Sequence, residues 1–361
     1  MTTSTTSGRL RVDLRDPGQL LAGIPHLLGF RPSNSVVLIG HRGPAARTIG
    51  AVARADLPPA GCERDLAARL MGALLADGAT GATLAIVGGR VAEQERPGAR
   101  VVAALASVLR DTGLRLLHVL RVPDIAAGAA WACDTDPGCA GLLPDPATTA
   151  LAAASATVGV VTFGSREAMA SLLDPVDEDT LGRRSALLDA AADAAAGTDP
   201  DSDAEIHRAC ALVRRYLRGP GEVVLSDDEE VVALALAVSR PRVRDACLTL
   251  ALPAGSDAAR VAERLWLALV RATPRPERAH PACLLGFSAY MRGDGALAGM
   301  ALENALTADP GHVLAGLLFR ALDHHMLPKR LEQLGRGEDQ AVEWLSGPEI
   351  SAVPLPRDGS G

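Results

Sequence analysis

The first stretch that could do chemistry is the short polar loop between Gly29 and Val36. It holds an arginine, an asparagine and two serines within the five residues from Arg31 to Ser35. An apolar, helix-like run precedes the loop and an apolar strand follows it. Binding groups often lie on loops that a rigid scaffold positions. The loop is therefore the first candidate for a binding site.

Further candidates follow the ends of predicted strands over 48–55, 83–87 and 114–122. If these strands are parallel, their carboxyl ends share one edge of a sheet, where ligands of α/β proteins tend to bind. The start of an antiparallel first strand lies there too. Arginines around a glycine-containing loop predict an anionic small molecule, a phosphate or a carboxylate, held by fork-shaped donors. The predicted ligand-binding residues are Arg31, Asn34, Ser35, Arg54, Asp56, Gly88, Gly89, Arg90, Arg121, Asp124 and Trp131.

The same arginines are also consistent with solvated side chains, or with ion pairs to Asp56, Asp124 and Glu93. Gly88-Gly89 matches neither the dinucleotide-binding nor the P-loop pattern. Ser165 lacks the flanking glycines of a nucleophile elbow and is expected to cap a helix. Catalytic residues and a cofactor are therefore left unassigned, and the sequence leaves open whether the protein is an enzyme.

Two cysteines six positions apart, Cys133 and Cys139, follow the fourth predicted strand closely. With Asp136 between them they could supply part of a zinc site, but a closed structural site normally needs four ligands. His118 is near in sequence, yet it lies inside a strand. The sequence therefore favours a loop held by the packing of Trp131 and assigns no metal. Oxidation of the paired thiols is a further alternative.

Composition bounds the class of protein. The chain has 361 residues, a net charge of −7, and 48% hydrophobic but only 2% aromatic residues, so its core must consist mainly of Ala, Leu and Val. It lacks the basic patch of a nucleic-acid-binding protein. It also lacks a signal-peptide pattern and a membrane-length apolar run, and its six cysteines are scattered. A cytoplasmic protein with no nucleic-acid or membrane partner is expected.

The order of elements predicts the fold class, which is α/β. Strands over 36–39 and 48–55 form a hairpin, and helices over 62–76 and from Pro97 to Asp111 alternate with the later strands. Such alternation predicts a mixed, mainly parallel sheet with flanking helices. The expected divisions are a disordered N-terminus over 1–8, an α/β domain over 9–175, a helical domain over 176–330 and a C-terminal tail over 331–361.

The helical part contains one unit that resembles a tetratricopeptide repeat. It spans 279–310, with Gly293 at the turn between two helices and Pro310 at the end. One unit falls short of the three or more that a solenoid needs. Upstream, Ser226 and Glu229 predict a capping box for a helix over 231–238.

Several blocks together resemble an actinobacterial family known as domain of unknown function 4192. They are LLGFRPSNS from Leu27, RADLPP from Arg54, the segment from Trp131 to Cys139, SREAM from Ser165, VRDACL from Val243 and GDGALAGMALENALTADP from Gly293. The cysteine segment of that family usually carries a second, adjacent cysteine where this chain has Ala140, which argues against an essential metal cluster. The family has no established activity, so the resemblance implies fold boundaries and no mechanism.

These observations leave two expected functions. The first is the binding of an anionic small molecule by the α/β domain, with the helical domain as an accessory. The second is a protein-interaction scaffold, in which the tetratricopeptide-like helices over 243–325 bind a protein partner or a second copy of the chain.

Overall fold

The structure, a computed structural model, divides the chain into two compact units. It describes residues 16–346 apart from 44–45, 47, 89–97, 158, 195–198, 200, 219–222, 224 and 338, together with the backbone of Thr5–Thr6 and Arg9–Leu10. The first unit comprises residues 1–174, 293–303 and 313–330, and the second comprises 175–292, 304–312 and 331–361.

Eight strands are described, all of them in the first unit. Two of them, β1 (Thr5–Thr6) and β2 (Arg9–Leu10), form a two-residue antiparallel pair. The others are β3 (Ser35–Arg42), β4 (Thr48–Asp56), β5 (Gly81–Val87), β6 (Arg115–Val122), β7 (Ala130–Cys133) and β8 (Ala140–Leu142). These six form one sheet in the order β4-β3-β5-β6-β7-β8.

The sheet is mixed, as predicted, but its pairing is mainly antiparallel. The predicted hairpin is confirmed by the antiparallel pairing of β3 with β4. β3 also pairs antiparallel with β5, and only β5 and β6 are parallel neighbours among the described strands. Parallel pairing of β4 with β5 was therefore the wrong expectation, because β3 occupies the position between them.

The strand directions nevertheless match the predicted ones. β4 and β5 both run opposite to β3, and β6 runs with β5, so the carboxyl ends of all three lie where β3 begins. Ser35 is opposite Asp56 on one side and Val87 on the other, and Val87 is opposite Val122. We call this row, Ser35, Asp56, Val87 and Val122, the strand-end edge.

Fifteen α-helices are described, and α1 to α5 precede Asp174. They are α1 (Pro17–Leu28), α2 (Glu63–Ala76), α3 (Ala99–Asp111), α4 (Ala150–Thr157), α5 (Arg166–Ala170), α6 (Glu178–Ala194), α7 (Asp203–Leu217), α8 (Asp228–Ser239), α9 (Pro241–Leu248), α10 (Asp257–Ala272), α11 (Ala279–Met291), α12 (Gly295–Ala308), α13 (Val313–Asp323), α14 (Pro328–Leu331) and α15 (Gln340–Ser346). None of them combines the length and the apolar character that crossing a bilayer requires.

Each face of the sheet has its own apolar core, because successive side chains of a strand point to opposite faces. Val36 and Leu38 of β3 pack with α2 and α3 on one face. Val37 and Ile39 pack with α1 and with β7 on the other face. All four side chains are fully buried, so β3 lies inside the sheet with both faces covered. We call these two faces the α2–α3 face and the α1 face.

Two sequence-based expectations in the helical part have different outcomes. Helix α8 is capped by Asp227, whose carboxylate accepts a hydrogen bond from Glu230 N at 2.9 Å, so the capping box at Ser226 is wrong. The helix–turn–helix around Gly293 is present, with that glycine at a φ of 87°. Its likeness to a tetratricopeptide repeat stays a prediction.

The predicted division into consecutive domains also stays a prediction. The compact units separate first between Asp174 and Pro175, but further along the chain they are discontinuous. The segment assigned to a C-terminal tail contains α15, which contacts α7 and α9 in the second unit. The described part of that segment is therefore folded.

Two adjacent leucines on α2 test how much the α2–α3 face stabilises the first unit. Leu74 is fully buried and packs close to Gly40 of β3, whereas Leu75 is 51% exposed. We expect Leu74→Ala to lower the free energy of unfolding by about 2–5 kcal/mol through lost burial and a residual cavity. The matched exposed variant, Leu75→Ala, should change it by less than about 0.5 kcal/mol. Urea denaturation followed by circular dichroism measures both, and equal losses would contradict the assigned burial.

Candidate functional site

The strand-end edge begins with a close approach between two backbone turns. Asn34, just before β3, has a φ of 43°, and Gly88, just after β5, has a φ of 72°. Gly88 N donates to Val122 O at 2.9 Å, and Asn34 O accepts from Leu57 N at 2.9 Å. A Cβ at Gly88 would lie 3.0 Å from both N and Oδ1 of Asn34. The loop before β3 is thus fixed to the ends of the neighbouring strands.

Arg54 of β4 is the most enclosed described arginine at this edge. Its Nε donates to Ser35 Oγ at 2.9 Å and its Nη2 to Asp56 Oδ1 at 2.5 Å. The guanidinium carbon lies 5.6 Å from the ring centroid of Phe30. The Arg54 side chain is 13% exposed, whereas that of Asp56 is 78% exposed. These contacts hold the guanidinium in one orientation, and Nη1 has no hydrogen-bond partner among the described residues.

Arg31 forms a second, more exposed ion pair. Its Nε donates to Asp124 Oδ1 at 3.0 Å, and Nη2 donates to the other oxygen of the same carboxylate. The two side chains are 41% and 52% exposed, so the pair contributes little to stability. Arg31 and Arg54 are each paired with a carboxylate that the sequence offered as an alternative partner.

A segment from outside the sheet reaches the same region. Arg31 N donates to Phe163 O at 2.9 Å, and Phe163 N donates to Gly29 O at 2.8 Å. Ser165 then caps α5, as predicted, with its hydroxyl accepting from Ala168 N at 3.0 Å. Backbone and Ser165 hydrogen bonds, followed by the charges of nearby arginines including Arg54, lower the pKa of the Glu167 carboxyl. Sequence reasoning did not connect Glu167 with Arg54, because the residues are far apart in the chain.

The structure does not place every predicted ligand-binding residue at the strand-end edge. Arg121 alternates with Leu120 and Val122, so it lies on the α2–α3 face, where its Nε donates to Asp134 Oδ2 at 2.7 Å. Trp131 is 8% exposed and packs on the α1 face beside glycines of α1 and β8. Its indole nitrogen has no hydrogen-bond partner among the described residues. Gly89 and Arg90 lie outside the described residues.

A second group of reactive side chains lies on the α1 face, away from the strand-end edge. His118 of β6, Cys133 at the end of β7 and Cys139 just before β8 have their ligand atoms within 4.8 Å of one another. The Cys133 Sγ to His118 Nδ1 distance is 3.7 Å. Antiparallel pairing brings the cysteines together, since Cys133 N donates to Cys139 O at 2.9 Å. All six cysteines are free thiols.

The two thiols have different electrostatic surroundings. Burial raises the pKa of Cys133, but hydrogen bonds from the Thr135 hydroxyl and nearby backbone groups outweigh it, so the net shift is downward. Burial and the neighbouring Cys133 raise the pKa of Cys139. His41 lies on the same face and contacts Thr83, with Nε2 to Oγ1 at 2.9 Å. Burial, then repulsion from His118, lowers the pKa of His41.

The sequence interpretation did not count His118 as a metal ligand because it lies inside a strand, but in the structure it lies beside both cysteines. A residue inside a strand can still reach a partner strand, because its side chain projects from the sheet. His118 alternates with Leu120 and Val122, whose side chains form the α1 face together with Cys133. His118 could have been found from this alternation, together with recognition of residues 130–142 as a β-hairpin rather than a loop.

Other histidines have hydrogen-bonding partners of their own. His26 contacts Thr162 Oγ1 at 2.8 Å and Pro146 O at 3.0 Å. His312 contacts His280, with Nε2 to Nδ1 at 3.2 Å. His325 contacts Arg69 O at 2.7 Å. These contacts give the histidines structural roles.

Comparison with known families gives one match. The model of the family described as Domain of unknown function (DUF4192) matches residues 17–329. Comparisons with curated proteins and with solved structures give no match.

The close approach at Gly88 can be tested against a matched glycine. Gly78 has a similar φ of 69°, but a Cβ there would meet nothing within 4 Å. We expect Gly78→Ala to cost about 1–2 kcal/mol of unfolding free energy, from left-handed strain alone. Gly88→Ala should cost about 1–3 kcal/mol more, because the added methyl overpacks against Asn34. Chemical denaturation measures both, and equal costs would contradict the contact.

Proposed function

We propose that this chain, which belongs to the family described as Domain of unknown function (DUF4192), binds an anionic small molecule at the strand-end edge. Arg54 is the principal contact in this proposal, and a phosphate or carboxylate is the group that it recognises. The observation that carries the proposal is the enclosed, oriented guanidinium with Nη1 left without a partner among the described residues.

Burial explains why this arginine favours an added anion. A charged group removed from water is costly unless it is paired and hydrogen-bonded. Arg54 is largely buried, while the carboxylates that compensate its charge, Asp56 in direct contact and Glu167 nearby, are both exposed to solvent. An anionic oxygen at Nη1 adds a charge-assisted hydrogen bond without displacing Asp56.

Preorganisation supports the same function. Ser35 and the Phe30 ring already fix the Arg54 side chain, so binding does not have to immobilise a long flexible group. The left-handed Asn34 and the adjacent Gly88 fix the loop beside it. Arg31 is held by both oxygens of Asp124, so its charge is already compensated and Arg54 remains the principal contact.

Ligand-dependent thermal stabilisation tests the proposal. We expect inorganic phosphate, a nucleoside monophosphate or a dicarboxylate at 100 times its Kd to stabilise the protein by about 2.7 kcal/mol. The rise in Tm should be lost in Arg54→Ala and reduced in Arg54→Lys, since lysine lacks the planar fork. Arg110→Ala is the matched control, because Arg110 is exposed in the last turn of α3.

Each variant is compared with its own ligand-free Tm, so a loss of intrinsic stability does not imitate a loss of binding. Isothermal titration with the best of these anions then gives the Kd. An unchanged shift in Arg54→Ala, or no shift for any of the three anions with the wild-type chain, would refute the proposal.

A second candidate function is protein interaction through the C-terminal helices, and an exposed apolar pair favours it. Val313 and Leu317 lie one turn apart on α13 and are 75% and 51% exposed. Such a stripe can be covered by the same stripe of a second copy in a two-fold dimer.

Light scattering over a range of protein concentrations tests self-association. If the stripe is the interface, Leu317→Ser should weaken the dimer by at least about tenfold, because burying one leucine is worth about 1.5–3 kcal/mol. Asp323→Ala, an exposed change on the same helix, should leave the dimer unchanged. A monomer at every concentration would remove this candidate.

A further inference from the structure

A cluster of one histidine and two cysteines lies on the α1 face, separate from the proposed anion site. Its three side chains come from different parts of the chain, because His118 lies within β6 while the cysteines flank the turn between β7 and β8. The backbone fixes both cysteines. Asp134 N donates to Val119 O at 2.8 Å, and Cys139 N donates to Asp136 O at 3.0 Å.

The spacing of the ligand atoms is that of a coordination sphere. With Zn–S near 2.3 Å and Zn–N near 2.0–2.1 Å, tetrahedral geometry places a sulfur about 3.6 Å from a nitrogen ligand. Cys133 Sγ and His118 Nδ1 are 3.7 Å apart. The whole set lies within 4.8 Å, so small side-chain rotations suffice to bring Cys139 Sγ to the same centre.

The donor types narrow the choice of metal. Two thiolates and one imidazole favour Zn²⁺ over Mg²⁺ or Ca²⁺, which prefer oxygen ligands. Among the described residues, no further His, Cys, Asp or Glu joins the set. The Asp136 carboxylate accepts a hydrogen bond from Gly138 N at 2.9 Å and supports the turn instead. Three protein ligands with an open fourth position are typical of sites that bind water or a small ligand.

We propose that His118, Cys133 and Cys139 bind one Zn²⁺ ion and leave its fourth position to water. The cysteines bind as thiolates, so binding releases their two protons to solvent. Thr135, whose hydroxyl lies 3.0 Å from Cys133 Sγ, then donates a hydrogen bond to the metal-bound sulfur. Hydrogen bonds from residues outside the coordination sphere orient the ligands and tune the properties of the metal ion.

Metal content and cobalt spectroscopy test the proposal on the full chain purified under reducing conditions. We expect one equivalent of Zn²⁺ per chain by elemental analysis. Replacement by Co²⁺ should give the thiolate-to-cobalt charge-transfer band and the intense visible bands of a tetrahedral site. Cys133→Ser, Cys139→Ser and His118→Ala should each weaken Zn²⁺ binding by at least about tenfold. Mutation of a residue that only hydrogen-bonds to a ligand already lowers metal affinity by about 10–100-fold.

The matched control is Cys62→Ser, which removes an exposed thiol outside the cluster and should leave stoichiometry and affinity unchanged. Circular dichroism verifies that each variant is folded, and serine is nearly isosteric with cysteine. Absence of stoichiometric Zn²⁺ and Co²⁺ binding in the reduced wild-type chain would overturn the proposal. Retained affinity in the folded Cys133→Ser and His118→Ala variants would overturn it as well.

A separate measurement tests whether the fourth coordination position is open to exchange. Imidazole added to the Co²⁺-loaded chain should shift the visible bands, because it replaces water in the coordination sphere. Bands that stay unchanged at saturating imidazole would refute an exchangeable position. Neither experiment uses Arg54 or an anion, so its outcome is independent of the test of the strand-end edge.

Discussion

The first unit depends on the burial of β3 between β4 and β5. Its side chains alternate between two cores, and Val36 to Ile39 are inaccessible to solvent on both faces. A one-residue change of register would exchange the faces and place Ser35 and His41 in the wrong core. This constraint fixes where β3 begins, and therefore where the polar loop before it meets the ends of β4 and β5.

Both candidate sites follow from the orientation of strands around that centre. Because β4, β5 and β6 point in one direction and β3 in the other, Asn34 and Ser35 reach the carboxyl ends of their neighbours. On the far side of β6, β7 and β8 extend the sheet as an antiparallel hairpin. That hairpin brings Cys133 and Cys139 close to His118 of β6.

The described arginines of the predicted binding site form local ion pairs. Arg31, Arg54 and Arg121 each contact a carboxylate, and the register places Arg54 and Arg121 on opposite faces of the sheet. What distinguishes Arg54 from the similarly enclosed Arg121 is its partner, because Asp56 is 78% exposed whereas Asp134 is 21% exposed. The strength of an ionic contact grows as water is excluded, so a buried guanidinium attracts an anion more strongly than an exposed one does.

The sequence by itself determined most elements of the sheet and its flanking helices, but not the β7–β8 hairpin. Apolar alternation and breakers such as Gly29 and Pro58-Pro59 act locally, so the helix after residue 62 and the strands at 36, 48, 83 and 114 are found close to their predicted bounds. Only the tertiary structure decided which strands are neighbours and which side chains meet. The insertion of β3, the Arg121–Asp134 pair and the meeting of His118 with Cys133 depend on register between distant segments, and local propensity carries no information on that register.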